Sequence, residues 1–214
     1  VQADVGSIMS VVITYTDDLT SSNTITLTAA SDTDNVNDNP TGSVTITGSA
    51  AEDQVLTAAN TLADEDGLGS ITYAWNRAGT AISGATSSTY TLVQADVGST
   101  ITVTASYTDT LGQAEASTSA ATTAVANVED APVIGSTGGT AVNEDAAYSY
   151  SITASDEDGD TLAITSTSVS WLTLTDAGDG TATLSGTPDD GDVGSHSVTI
   201  TVTDNSASTL TDTE

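Results

Sequence analysis

The sequence predicts an all-β protein built from β-sandwich domains, and three observations carry that prediction. Apolar residues alternate with threonine and serine in period-two runs, as in Ile101, Val103 and Ala105 between Thr102 and Thr104, which is the signature of half-buried strands. Helical periodicity is absent. Short runs of this kind, about seven in residues 39–130, are separated by polar turns, a spacing typical of sandwiches.

Composition sets further bounds. The 214 residues suffice for about two domains of ordinary size. Lys+Arg total 1 against 30 Asp+Glu, giving a formal charge of −29. Such a polyanion does not bind nucleic acid or anionic lipid through its own charge, and it attracts divalent cations. The strand alternation argues against disorder despite the charge. With no cysteine in a protein expected outside the cell, stability has to come from packing and bound metal. No apolar run is long enough to span a membrane, so no membrane insertion is expected. The chain opens without methionine and inside a repeat, so it is expected to be a piece of a longer protein.

Taken in order, residues 1–38 repeat a later segment. Val1–Ser7 (VQADVGS) returns as Val93–Ser99, and Tyr15-Thr16-Asp17 as Tyr107-Thr108-Asp109, each 92 residues on. This opening is expected to be the C-terminal half of a domain, with strands near 7–16 and 22–31. Residues 39–130 read as one complete domain. Its strands are expected at 43–48, 54–58, 71–75, 88–92, 99–107 and within 114–126, with Trp75 as a core residue. Residues 131–214 read as a further sandwich lacking its last strand, with a hairpin turn at Asp176–Gly180 and His196 in an alternating strand.

A short acidic phrase organises the chain. Ala63-Asp64-Glu65-Asp66-Gly67 recurs 92 residues later as Ser155-Asp156-Glu157-Asp158-Gly159. The same offset carries Glu52-Asp53 onto Glu144-Asp145 and Asp38 onto Asp130. Acids that keep their spacing while the surrounding sequence drifts point to a metal cage. Without cysteine and with one histidine, zinc and softer metals are poorly served, whereas Ca²⁺ takes six to eight oxygens in irregular geometry. The expected ligands are Asp38, Glu52, Asp53, Asp64 and Asp66 at the first joint. At the second they are Asp130, Glu144, Asp145, Asp156, Asp158 and Asp160. Asp17 and Asp109, which end strands, are second-rank candidates.

Two resemblances follow from these residues. Tyr73-x-Trp75, Gly79–Thr86 and Asp96-Val97-Gly98 resemble the bacterial immunoglobulin-like repeats of large RTX-type surface adhesins. Asn143-Glu144-Asp145, Asp156-x-Asp158-Gly159-Asp160, Trp171-Leu172, Leu184–Pro188 and Val202-Thr203-Asp204 resemble a cadherin-like, dystroglycan-type repeat. Asp34–Pro40 is similar to a cadherin linker but lacks the spacer before proline. Together they imply tandem immunoglobulin-like and cadherin-like sandwiches in an elongated array.

No catalytic constellation emerges. Ser195 and Ser197 flank His196, and neighbours on a strand point to opposite faces, so they make poor triad partners. Asp156–Asp160 lacks the glycine position and final glutamate of an EF-hand loop. The expectation is a non-enzymatic, Ca²⁺-stiffened extender of a bacterial surface or secreted adhesin. Its expected partners are neighbouring repeats, other copies of itself, or cell-surface glycans reached through other domains. The rivals are a subunit of a self-assembling extracellular filament and a spacer of a secreted polysaccharide-degrading enzyme.

Overall fold

The computed structural model describes residues 4–29, 31, 34–206 and 210–214. Sixteen strands, β1–β16, and two short 3-10 turns make up its regular structure among these residues. The chain divides into two compact units, one of Val1–Leu92 with Gly98–Val125 and one of Val93–Val97 with Ala126–Glu214.

The first unit opens with a hairpin of β1 (Ser10–Thr16) and β2 (Ser22–Thr28), paired antiparallel with Ser10 opposite Thr28. Both strands are exposed along their whole length. A two-layer sandwich follows. One sheet has the order β3 (Val44–Thr47), β4 (Val55–Asn60), β7 (Thr89–Thr91). The other has the order β6 (Thr80–Ala81), β5 (Thr72–Arg77), β8 (Ile101–Thr108), β9 (Ala114–Thr118). Inward positions alternate as the sequence predicts: in β8, Ile101, Val103, Ala105 and Tyr107 are all buried. Trp75 is fully buried, stacks on Tyr90 at 5.7 Å between ring centroids, and donates its indole N–H to the Ser87 carbonyl at 2.9 Å.

The hairpin β1–β2 is a copy of β8–β9. Thr104 pairs with Thr118, the same register moved by 92 residues in each strand. The environment differs. Met9, Val11, Ile13 and Tyr15 are 49%, 61%, 46% and 50% exposed, whereas Ile101, Val103, Ala105 and Tyr107 are at most 5% exposed. The hairpin therefore keeps its local pairing without the second layer that would bury its apolar face.

The second unit is again two-layered. Its larger sheet runs β10 (Val133–Ile134), β11 (Tyr148–Ser155), β14 (Thr181–Gly186), β13 (Leu172–Asp176). The smaller runs β12 (Ala163–Ser166), β15 (Ile200–Thr203), β16 (Thr211–Thr213). Tyr150, Ile152 and Leu184 from one layer pack in a single core with Ile164, Ile200 and Val202 from the other. The expected turn at Asp176–Gly180 closes β13 onto β14, with Gly178 and Gly180 at φ 76° and 82°, a region glycine enters without steric cost. His196 departs from expectation: it is exposed and lies outside any strand, its Nε2 2.7 Å from the Asp192 carbonyl.

Replacing Trp75 by alanine is expected to cost about 3–5 kcal/mol, the usual penalty for emptying a large aromatic site. Denaturant unfolding should show this loss in the transition of the first unit and leave that of the second unmoved.

Candidate metal centre

In the first unit the acidic turn sits after β4. Asp66 N–H donates to Asp64 Oδ1 at 2.8 Å, and Gly67 adopts φ 98° to complete the turn. Asp66 is itself buried, 4% exposed. Its Oδ2 accepts the Asp38 backbone N–H at 2.5 Å and its Oδ1 accepts Asn35 Nδ2 at 2.6 Å. The Thr110 hydroxyl donates to the Asp66 carbonyl. Asp64 Oδ2 accepts the Tyr107 hydroxyl at 2.5 Å. Burial, and then that bond to Asp64, push the Tyr107 phenol well above its ordinary range.

The second unit repeats the arrangement 92 residues on. The Asp130 N–H donates to Asp158 Oδ2 at 2.7 Å, and Asn127 reaches the same carboxylate. Gln94 Nε2 donates to Asp158 Oδ1 at 3.0 Å. The Asp130 amide, assisted by Asn127 and Gln94 and opposed by burial, holds the Asp158 carboxyl below its ordinary 3.8. Asp160 N–H approaches Asp156 Oδ1 at 3.3 Å, and Gly159 sits at φ 76°. A carboxylate oxygen of Asp130 lies within 4.8 Å of one of Asp158. Each linker is thus tied to the second aspartate of the turn that follows it.

The two strand ends also match. Asp109 after β8 and Asp204 after β15 are 6% and 4% exposed. Each uses Oδ1 to cap the next loop, Asp109 from Gln113 N–H and Asp204 from Ser206 and Leu210 N–H. Each leaves Oδ2 buried without a hydrogen-bond partner, and Asp156 Oδ2 is in the same condition. A buried carboxylate oxygen without a donor is costly. Asp160 registers the crowding: burial, then Asp156, Asp204 and Asp158, raise its carboxyl above the ordinary value. Four aspartates offering oxygen alone, two of them with orphaned buried atoms, fit a hard cation such as Ca²⁺.

Not all expected ligands gather. Asp38, Asp64 and Asp66 come together, as do Asp130, Asp156, Asp158 and Asp160. Glu52 and Asp53 stand at the far end of β4 from Asp64, and Glu144 and Asp145 at the far end of β11 from Asp156. The eight residues of β11 alone span about 26 Å, so one ion cannot be shared by the two ends of a unit. The aspartate of each pair has a local backbone role. Asp53 and Asp145 both adopt φ 59°, and their N–H groups donate to the Leu92 and Pro188 carbonyls. Aspartate tolerates this left-handed conformation better than most residues. Asp17 caps its own turn through Leu19 and Ser21 N–H. Asp204 is not among the expected ligands, although it ends β15 after Val202-Thr203 as Asp109 ends β8 after Tyr107-Thr108.

Comparison with known proteins accords with this architecture. Residues 129–213 match the family described as bacterial Ig domain. This segment is similar to a bacterial Ig domain. It is also the module whose motifs resemble a cadherin repeat, so both likenesses fall on the same Ig-like sandwich. No curated protein matches the chain. Among solved structures, an endo-fucoidan hydrolase of glycoside hydrolase family 107 aligns at 20% identity and TM-score 0.34, over 97% of this chain and 33% of that one. Extracellular cadherin domains 3-6 of protocadherin gamma B2 align at 17% identity and TM-score 0.40, over 82% and 45%. The extracellular domain of protocadherin gamma B4 aligns at 12% and 0.40, over 97% and 42%. The chain spans a third to just under half of these structures.

The opposite shifts of Asp158 and Asp160 give opposite mutational signs in metal-free buffer. The lowered Asp158 carboxyl stabilises the fold above its ordinary value, and that contribution is lost as pH falls through the folded value. Ionising the raised Asp160 carboxyl opposes folding, so its contribution is full at low pH and lost as pH rises. At pH 7 in EDTA, Asp158→Asn is expected to lower the melting temperature of the Ig-like domain and Asp160→Asn to raise it. Thermal melts of the two variants check both signs.

Proposed function

We propose that the Ig-like domain binds Ca²⁺ through Asp156, Asp158, Asp160 and Asp204, and that the chain is a Ca²⁺-stiffened spacer of a bacterial surface or secreted adhesin. The observation that carries the metal reading is the pair of orphaned buried oxygens, Asp156 Oδ2 and Asp204 Oδ2, beside the raised Asp160 carboxyl. A divalent cation would supply the positive charge these groups lack. The Asp130 amide is already tied to Asp158, so an ion on Asp158 would also fix the segment entering the domain. In the first unit the counterparts of Asp156, Asp158 and Asp204 are Asp64, Asp66 and Asp109, with Tyr107 supplying the donor to Asp64 that Asp156 lacks.

The spacer role draws on the sandwich fold, the bacterial Ig match at residues 129–213 and the charge of −29. It assigns no catalysis to the chain and places it outside the cell. Its partners would be flanking repeats of the same protein, with glycan or surface attachment left to other domains. Among the described residues no helix is long and apolar enough to cross a membrane. A second reading is a subunit of an extracellular filament assembled from copies of this chain. Concentration-dependent sedimentation would support it, and a persistent monomer would count against it.

Ca²⁺ is expected to stabilise the Ig-like domain by about 2.7 kcal/mol at a hundredfold excess over its dissociation constant. Na⁺ at equal ionic strength should not, and EDTA should reverse the effect. Calorimetric titration of Asp156→Asn and Asp204→Asn should show the response lost in both. A Ca²⁺ response that survives both substitutions together would sink this site.

A further inference from the structure

The acidic turns of the two units are built alike and charged differently. In each, the residue after the strand-ending aspartate reaches the turn. The Thr110 hydroxyl donates to the Asp66 carbonyl, and Asn205 Oδ1 accepts the Thr161 N–H at 3.0 Å. Asp109 and Asp204 therefore stand at matching places beside the two turns, close enough to act on Tyr107 and on Asp160 through their charge.

Two side chains differ. Leu68 stands where the Ig-like domain has Asp160, two residues after the second aspartate of the turn. Tyr107 stands two residues before Asp109, where Val202 stands before Asp204. The first turn thus gathers the carboxylates of Asp64, Asp66 and Asp109 with a phenol. The second gathers those of Asp156, Asp158, Asp160 and Asp204 with a valine.

The phenol changes what a cation would meet. Tyr107 is buried on β8 and donates to Asp64 Oδ2 at 2.5 Å. Asp66 is answered as well, by Asn35 and by the Asp38 N–H. Among the described residues, the first turn buries one carboxylate oxygen without a donor, Asp109 Oδ2. The second buries two, Asp156 Oδ2 and Asp204 Oδ2. Such an oxygen destabilises the metal-free fold, and an ion that binds the folded state alone offsets that penalty. The number of charged ligands also tunes Ca²⁺ affinity. Both differences point the same way.

We propose that Tyr107 is an affinity-setting residue: its hydroxyl gives Asp64 part of what a cation would give, so the first unit binds Ca²⁺ more weakly than the Ig-like domain does. Tyr107 is a positioning residue here, acting through Asp64 and not as a ligand. This rests on the Ca²⁺ reading of the Ig-like domain given above.

The test uses the full chain carrying Asp204→Asn, which removes the response of the Ig-like domain, with and without Tyr107→Phe. Phenylalanine keeps the ring in the core and removes only the donor. Calorimetric titration should show Ca²⁺ binding to the first unit about tenfold tighter in the Tyr107→Phe chain, the effect expected of one hydrogen bond to a charged group. In EDTA the same substitution should lower the melting temperature of the first unit, and saturating Ca²⁺ should restore it. Leu68→Asp, at a residue 42% exposed, should also tighten binding, without disturbing the core. A hydroxyl serving the fold alone would lower melting equally with and without Ca²⁺ and leave affinity unchanged, which would overturn the proposal. So would first-unit binding as tight as that of the Ig-like domain in the unsubstituted chain. The unsubstituted chain also separates the two failures. No Ca²⁺ binding there sinks the metal reading and this proposal with it, whereas binding there with an unmoved first-unit affinity sinks this proposal alone.

Discussion

The hydrogen bond from a linker amide into the second aspartate of an acidic turn fixes how the chain enters each sandwich. Asp38 N–H on Asp66 and Asp130 N–H on Asp158 are the same contact made twice, each across 28 residues. An ionised acceptor makes such a bond stronger than a neutral one, and the bond in turn favours the charged form of Asp158. Gly67 and Gly159 allow the turn to close, and Asn35 and Asn127 add a second donor to each carboxylate.

This arrangement concentrates negative charge that the protein leaves partly unanswered. Asp109 and Asp204 use one oxygen to cap a loop and bury the other without a donor. The two units answer the same problem differently. In the first, Tyr107 supplies a hydroxyl to Asp64; in the second, Val202 stands two residues before Asp204 where Tyr107 stands before Asp109, and Asp156 Oδ2 has no partner. A valine side chain cannot donate a hydrogen bond. That single difference leaves the second unit with one more buried carboxylate oxygen without a donor.

Away from the acidic turns, an open apolar surface is set by strand pairing. The β1–β2 hairpin keeps the register of β8–β9 and lacks a covering layer.

Much of this was legible in the residues. Period-two alternation located the strands, and the core position of Trp75 followed from its place in Thr72–Arg77, because each inward side chain on a pleated strand is two residues from the next. The repeated Asp-Glu-Asp-Gly marked both turns, since their hydrogen bonds are local. The sequence could not say which acids meet. Glu52-Asp53 and Glu144-Asp145 share the 92-residue register with the turns yet lie a strand length away, where Asp53 and Asp145 serve left-handed backbone positions. Asp204 joins Asp156 and Asp160 only because β15 and the turn after β11 end at one pole. Spacing along the chain records local geometry; which ends of which strands share a pole is decided by how the sheets pair, and only the folded chain determines that.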